Sequence, residues 1–228
     1  LKLTKLGPIQ KKLISKDAHI PAITTEKLLE KLASNGLITH RKNLVEASPS
    51  QRARIAVHAV KMGADFERVC QLLEWQEFET IASEAFKAND FFVKRCFRFK
   101  QAGRMWEIDI LGLKQPLVVC VDCKHWHYGW RRAATTKAAE SQIERTKALA
   151  DGLPNLSKKL ELDKWKQATL IPIILSLYPS PLKFHQNAPI VPILQLQDFL
   201  NELPAYAHSL THFTKKTFNT NRNLTEFT

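Results

Sequence analysis

A chain of 228 residues with 44% hydrophobic side chains can bury a sizeable core, as one domain or as two small ones. Charged residues make up 25% of it, and no apolar run approaches the ~20 residues that a membrane-spanning helix needs. Thirty-four Lys and Arg against 22 Asp and Glu give a net charge of +12 and a pI near 9.6, which favours a polyanionic partner, whether DNA, RNA or an anionic membrane surface.

At the N-terminus, residues 1–6 alternate charge with leucine and lack the apolar core of a secretory signal. A soluble, cytoplasmic protein with no membrane partner is expected, and the opening Leu1 in place of Met fits a trimmed start. Thr24 or Thr25 can cap a helix over residues 26–32, with Leu28, Leu29, Leu32 and Ala33 on one stripe, and Asn35-Gly36 stops it. Residues 37–45 alternate loosely, as a short basic hairpin does. Ser48-Pro49-Ser50 starts a second helix over residues 51–62. Gly63-Ala64-Asp65 turns the chain, and Asp65 caps a third helix reaching about Trp75. Two helices joined by a three-residue turn containing Gly fit a helix-turn-helix unit, and the preceding helix and hairpin suit a winged variant. A plain helical cap on the next domain has the same sequence pattern. Residues 1–74 are therefore expected to form a helical region, winged helix-turn-helix-like, that holds DNA or caps the rest.

From residue 76 the periodicity changes. Residues 76–88 read as a helix with Phe78, Ile81, Ala82, Ala85 and Phe86 on one face; residues 92–99 alternate as a strand. Lys100-Gln101-Ala102-Gly103 turns into a second strand, residues 104–111, and residues 112–116 turn into a third, residues 117–124. A helix over residues 133–150 follows. Apolar runs at 168–175 and 190–194 each carry a proline, which predicts an edge strand or a bulge. A short helix over 197–203 closes a domain of residues 75–205, and residues 206–228 read as a polar tail. Helix, three strands, helix, strand, strand describes an α/β sandwich.

Four cysteines are too few for a disulfide framework in a chain this long. Cys120-Val121-Asp122-Cys123, with His125 and His127 nearby, has the outline of a zinc site. However, structural zinc usually brings a second paired cluster, and on a strand positions 120 and 123 point to opposite faces. The stronger constellation is Asp109 with Asp122 and Lys124. Asp122 and Lys124 share one face of the third strand. A hairpin centred near Lys114 and Gln115 pairs Asp109 with about Cys120, on that same face. Two carboxylates and one ammonium at the end of an apolar sheet are costly without a ligand, and a divalent cation resolves the cost. Two carboxylates, the backbone carbonyl of Cys123 and several waters suit Mg²⁺, with Mn²⁺ as a substitute. The helix residues Glu77 and Glu79 offer a further carboxylate. An isolated structural Asp–Lys pair is the plainer alternative.

At these residues the chain resembles the PD-(D/E)XK nuclease superfamily, which includes restriction endonucleases and archaeal Holliday-junction resolvases. The resemblance spans residues 75–203 and rests on Phe78-Glu79, Phe91-Phe92, Ile108-Asp109 and Val121-Asp122-Cys123-Lys124; it looks most like the Mrr-type restriction enzymes. The family's first signature is usually Pro-Asp or Gly-x-Asp, and here Ile108 precedes Asp109. The resemblance implies a restriction-endonuclease-like α-β-β-β-α-β core and metal-dependent hydrolysis of DNA phosphodiesters, in repair, recombination or restriction. It implies Glu79 (or Glu77) as the helix carboxylate, with Glu79, Asp109, Asp122 and Cys123 toward the metal, and Lys124 and Gln142 as further catalytic residues. Many relatives act as homodimers.

Basic residues surround these positions: Lys94, Arg95, Arg98, Lys100 and Arg104 on the first hairpin, and Arg131, Arg132, Lys137, Arg145 and Lys147 after the third strand. Phosphate tracking uses such groups. Trp126, Tyr128 and Trp130 stack on bases or pack in the core. The alternatives to a DNA endonuclease are a DNA-binding regulator with an inactive nuclease fold, and an RNA-processing nuclease.

Overall fold

The computed structural model describes residues 1–125 and 131–217, and the chain divides into two compact units, Leu1–Ile81 and Ala82–Thr228. The first unit begins with a two-residue strand β1 (Ile9–Gln10), then helices α1 (Lys11–Ala18) and α2 (Ala22–Ser34). Strands β2 (Thr39–Arg41) and β3 (Leu44–Glu46) form the expected basic hairpin, and β1 joins it to give an antiparallel sheet of order β1-β3-β2. α2 is not capped by Thr24 or Thr25. It starts after Pro21, and the Thr25 hydroxyl instead donates back to the Pro21 carbonyl at 3.1 Å. α1 has no fully buried residue, which is why no apolar stripe announces it. Leu29, Ile38 and Val45 form the core of this layer, with Ile14 and Ile55 packed against them.

Helix α3 (Pro49–Lys61) opens on a capping box in which Ser48 and Gln51 exchange side-chain bonds with each other's backbone N–H, and Pro49 occupies the first turn, where its missing N–H costs nothing. Asp65 caps α4 (Phe66–Cys70) by accepting from the Arg68 N–H at 2.9 Å. α4 ends at Cys70, well before Trp75. A separate helix α5 (Trp75–Ala88) then begins, and its last turns belong to the second unit.

The second unit is built on a mixed sheet of order β4-β5-β6-β7-β9-β8, with β10 alongside β7. Strands β4 (Phe92–Gln101), β5 (Arg104–Lys114) and β6 (Leu117–Lys124) are antiparallel neighbours. β7 (Gln167–Ser176) runs parallel to β6 after the crossover helix α6 (Arg132–Leu160). The first turn tightens to Ala102-Gly103, both at positive φ, and the second to Gln115-Pro116, because Gly112 and Leu113 stay in the ladder. One face of the sheet packs Leu111, Leu113, Val118 and Cys120 against Leu149 and Leu153 of α6. Gly112 points the other way. A Cβ there would lie 2.4 Å from the Phe86 ring of α5, so the bare glycine is what lets that helix approach.

α6 runs ten residues beyond the expected stop at Ala150. Pro154 removes one helical hydrogen bond, but Leu153, Ser157 and Leu160 remain buried against the sheet and hold the helix on course. β7 is an inner strand rather than an edge. Thr169 N–H and Leu177 N–H face β6, so alternation aims Pro172 at the other side. There β10 (Phe213–Lys216) pairs only with residues up to Leu170 and β9 (Ala188–Pro192) only from Ile174, so the proline falls in the gap between them. β8 (Phe184–His185) closes the outer edge. α7 (Leu196–Tyr206) passes through Pro204, and four residues of the expected tail, Phe213–Lys216, form β10. The architecture is mixed α/β with helices on both faces of the larger sheet, and among the described residues no helix is long and apolar enough to cross a membrane.

Candidate functional site

β6 reads Leu-Val-Val-Cys-Val-Asp-Cys-Lys, and seven of its eight residues are buried. It lies between β5 and β7 with helices above and below, which makes its apolar run continuous rather than alternating. Asp122 sits at its C-terminal end, 3% exposed, on the α6 side. Its two carboxylate oxygens meet different cations. Oδ1 accepts from Arg145 Nη1 of α6 at 2.6 Å. Oδ2 faces Lys124 Nζ at 2.8 Å as an ion pair, but accepts no aligned hydrogen bond among the described residues. The two cations are 29% and 26% exposed, so the carboxylate is the buried member of the set.

Asp109 reaches the same place by a different register from the one expected. The β5–β6 ladder closes at Lys114↔Leu117 and pairs Leu111 with Cys120, two residues from the sequence-based alignment. Pro116 lacks an N–H and stays in the loop, which moves the hairpin centre to Gln115-Pro116. A shift of two leaves the face unchanged, and the rung after Ile110↔Val121 sets Asp109 across from Asp122. Ladder pairing stops at that rung. The Cys123 N–H donates instead to Asp109 Oδ2 at 2.8 Å. Alternation also slips here: Ile108 and Leu111, an odd number apart, both enter the core beneath α6. The β4–β5 register is the same on both sides of this point, from Arg95↔Ile110 to Phe97↔Ile108, but the rung between them is left out at Cys96, which has φ +49°. In a strand the N–H and C=O of one residue share an edge, so the Cys123 carbonyl faces the same opening as Asp109.

From α6, Gln142 is buried and its Nε2 donates to the Cys120 carbonyl at 2.8 Å, while its Oε1 lies 3.4 Å from Arg145 Nη1. One turn of helix thus presents an anchored amide and a guanidinium to the strand end. Burial pushes the Cys120 thiol up to about 12, so it stays protonated and serves as packing. Among the described residues no three His, Cys, Asp or Glu side chains form a metal cage. The donor set for a hard cation is two carboxylates and one strand carbonyl, and Asp122 Oδ2, which has the Lys124 ammonium against it at 2.8 Å, is the atom such a cation would share. That set suits an ion that keeps much of its water shell.

Glu79 lies in the first half of α5 and accepts from Trp75 Nε1 at 2.5 Å. Glu77 is engaged otherwise: it accepts from Arg52 Nε at 2.7 Å and from the Glu74 N–H, deep in the first unit. On the hairpin, Lys94 pairs with Glu161, Arg98 with Glu107 and Arg104 with Glu144, while Arg104 also stacks on Trp106 at 3.9 Å. The Glu107 carboxylate raises the affinity of Arg98 for its proton. Arg95 and Lys100 are exposed on β4, and Lys147 is exposed on α6. Arg131, Arg132 and Lys137, at the start of α6, are exposed and make no ion pair among the described residues. Trp126, His127, Tyr128 and Trp130 lie outside the described residues. Arg145 was legible as a basic residue near the site but not as the partner of Asp122. The signal available was its i,i+3 spacing from Gln142.

No family model matches the chain. An uncharacterized protein of Archaeoglobus fulgidus is 29% identical over 134 residues, which cover 59% of this chain and 95% of that one. Among solved structures, protein VC1899 from Vibrio cholerae aligns with 87% of this chain at a TM-score of 0.35 and 13% identity. The chain spans 46% of that protein's length.

Proposed function

We propose that the second unit is a Mg²⁺-dependent nuclease that hydrolyses phosphodiester bonds of DNA, with Asp109, Asp122 and the Cys123 carbonyl as metal ligands and Lys124 beside them. The observation that carries this reading is Asp122, a carboxylate 3% exposed at a strand end, next to a second acid and a lysine. Charges of this kind are expensive to bury and cluster where chemistry needs them. The order α5, β4, β5, β6, α6, β7, with antiparallel, antiparallel and parallel pairing, supports the resemblance to the PD-(D/E)XK family. When bound, the cation would polarise the phosphodiester and acidify a water. Lys124 would orient that water or offset the charge that develops on the phosphorus oxygens. Gln142 holds the strand end through the Cys120 carbonyl. Arg131, Arg132 and Lys137 offer a cationic approach for the backbone.

In the first unit, the pair α1–α2 joined by His19-Ile20-Pro21, the sheet order β1-β3-β2 and the hairpin tip Arg41-Lys42 support a winged helix-turn-helix placed earlier in the chain than the helices at 51–75.

A second reading also has an observation in its favour. Lys124 and Arg145 already balance the charges of Asp109 and Asp122, as a binding module without catalysis requires. The test is cleavage of labelled duplex, methylated duplex, single strand, flap, four-way junction and RNA with Mg²⁺ or Mn²⁺, using Asp109→Ala and Lys124→Ala as controls. The nuclease reading expects cutting that both substitutions abolish while binding persists. Tight binding without cutting of any substrate would establish the module instead.

A further inference from the structure

We propose that Arg145 stands in for the metal: its guanidinium holds Asp122 in the metal-free protein and leaves it when a divalent cation arrives, which makes cation and phosphodiester binding mutually dependent. The inference rests on the nuclease reading and adds the order in which the site is filled. Both oxygens of Asp122 are faced by cations, and the closer approach, at 2.6 Å, is that of Arg145. A divalent ion entering beside them meets two positive charges and only two negative ones, so it binds poorly while Arg145 remains in place. Lys124 is tied to the strand two residues from Asp122 and stays near it. Arg145 is free to swing. Its long side chain leaves a helix surface, is 29% exposed, and has Gln142 Oε1 at 3.4 Å as an alternative acceptor. Gln142 is itself held by the Cys120 carbonyl, so that acceptor does not follow the arginine away.

A displaced guanidinium needs an anion, and a phosphodiester offers two charged non-bridging oxygens that the planar guanidinium fork can engage together. The chain's own residues therefore couple the two ligands. The cation frees Arg145 for the phosphate, and the phosphate draws Arg145 off the carboxylate. By linkage each raises the affinity for the other by the same factor.

The experiment measures Mn²⁺ affinity of the full chain by electron paramagnetic resonance, with and without a short phosphorothioate DNA that resists cleavage. Wild type, Arg145→Gln, Arg145→Lys and Asp122→Asn are compared. A charge-assisted hydrogen bond is lost when arginine yields the carboxylate, so Arg145→Gln is expected to bind Mn²⁺ about tenfold or more tightly than wild type without DNA. Wild type gains a similar factor when DNA is added, and Arg145→Gln gains little. Arg145→Lys, which keeps the charge, stays close to wild type and excludes a general packing effect. Equal Mn²⁺ affinity in wild type and Arg145→Gln, with binding still lost in Asp122→Asn, overturns this inference and leaves the nuclease reading standing. Absence of any Mn²⁺ binding sensitive to Asp122→Asn overturns both.

Discussion

Asp122→Asn and Arg145→Gln cut the same 2.6 Å contact from opposite ends, and the structure makes their effects on stability unequal. Asp122 is the buried charge. Replacing it with asparagine removes a carboxylate that is costly to desolvate, while Lys124 and Arg145, each more than a quarter exposed, turn to water. The lost charge-assisted bond, about 1.5–3 kcal/mol, is therefore largely offset, and the net change stays within about 1 kcal/mol. Arg145→Gln leaves the carboxylate buried with Lys124 as its remaining cation. Its cost is about 2 kcal/mol, or roughly 4–8 °C in Tm for a chain of this size. Thermal unfolding of both variants in EDTA measures the difference directly. Added Mn²⁺ should raise the Tm of the wild type and of Arg145→Gln but not of Asp122→Asn. Cleavage by Asp122→Asn should fall by about 10² or more. If Asp122→Asn proves the less stable variant in EDTA, Asp122 is a structural anchor and the reasoning about a costly functional charge fails.

Gly112→Ala should destabilise the second unit by about 1–3 kcal/mol in urea unfolding, because its Cβ would stand 2.4 Å from the buried Phe86 ring and 3.2 Å from that of Phe91. Unchanged stability would mean that α5 can retreat from the sheet. The Cys120 thiol ionises near its ordinary value of 9 when unfolded and at about 12 when folded. Between those values the unfolded chain binds fewer protons, so stability present below pH 9 is lost as pH rises toward 12. Cys120→Ala should flatten that decline, and an identical decline in wild type and variant would refute the assignment.

Where sequence and structure agree, the reason is locality. Asp122 and Lys124 share a face because the strand has a period of two, and no tertiary information is needed to say so. The run Leu117 to Val121 signalled a strand covered on both faces, which β6 is. The helix start at Ser48-Pro49-Ser50 and the cap at Asp65 were likewise local and correctly placed. Asp109 is an intermediate case. The expected hairpin register was two residues off, and what ties Asp109 to the strand end is the Cys123 N–H rather than a ladder rung.

What failed depended on partners distant in sequence. Pro172 implied an edge or a bulge, since one strand in isolation cannot reveal that β9 and β10 would divide its outer side and leave a gap for the proline. α6 was cut short at Ala150, before Gly152 and Pro154, because helix propensity falls there while burial against the sheet does not. β10 is too short and polar to be recognised away from β7.

The sequence by itself determined the basic charge, the α/β order of elements and the acidic strand end with its lysine, since these follow from composition and short-range periodicity. Only the tertiary structure decided that Arg145 rather than Lys124 makes the closer contact with Asp122, that Gln142 anchors the strand end, and that Asp109 takes the Cys123 N–H where the ladder stops. Those contacts join residues 14 to 23 positions apart through the crossing of α6 over β6 and the divergence of β5 from β6. Packing sets such crossings, and no window along the chain encodes them.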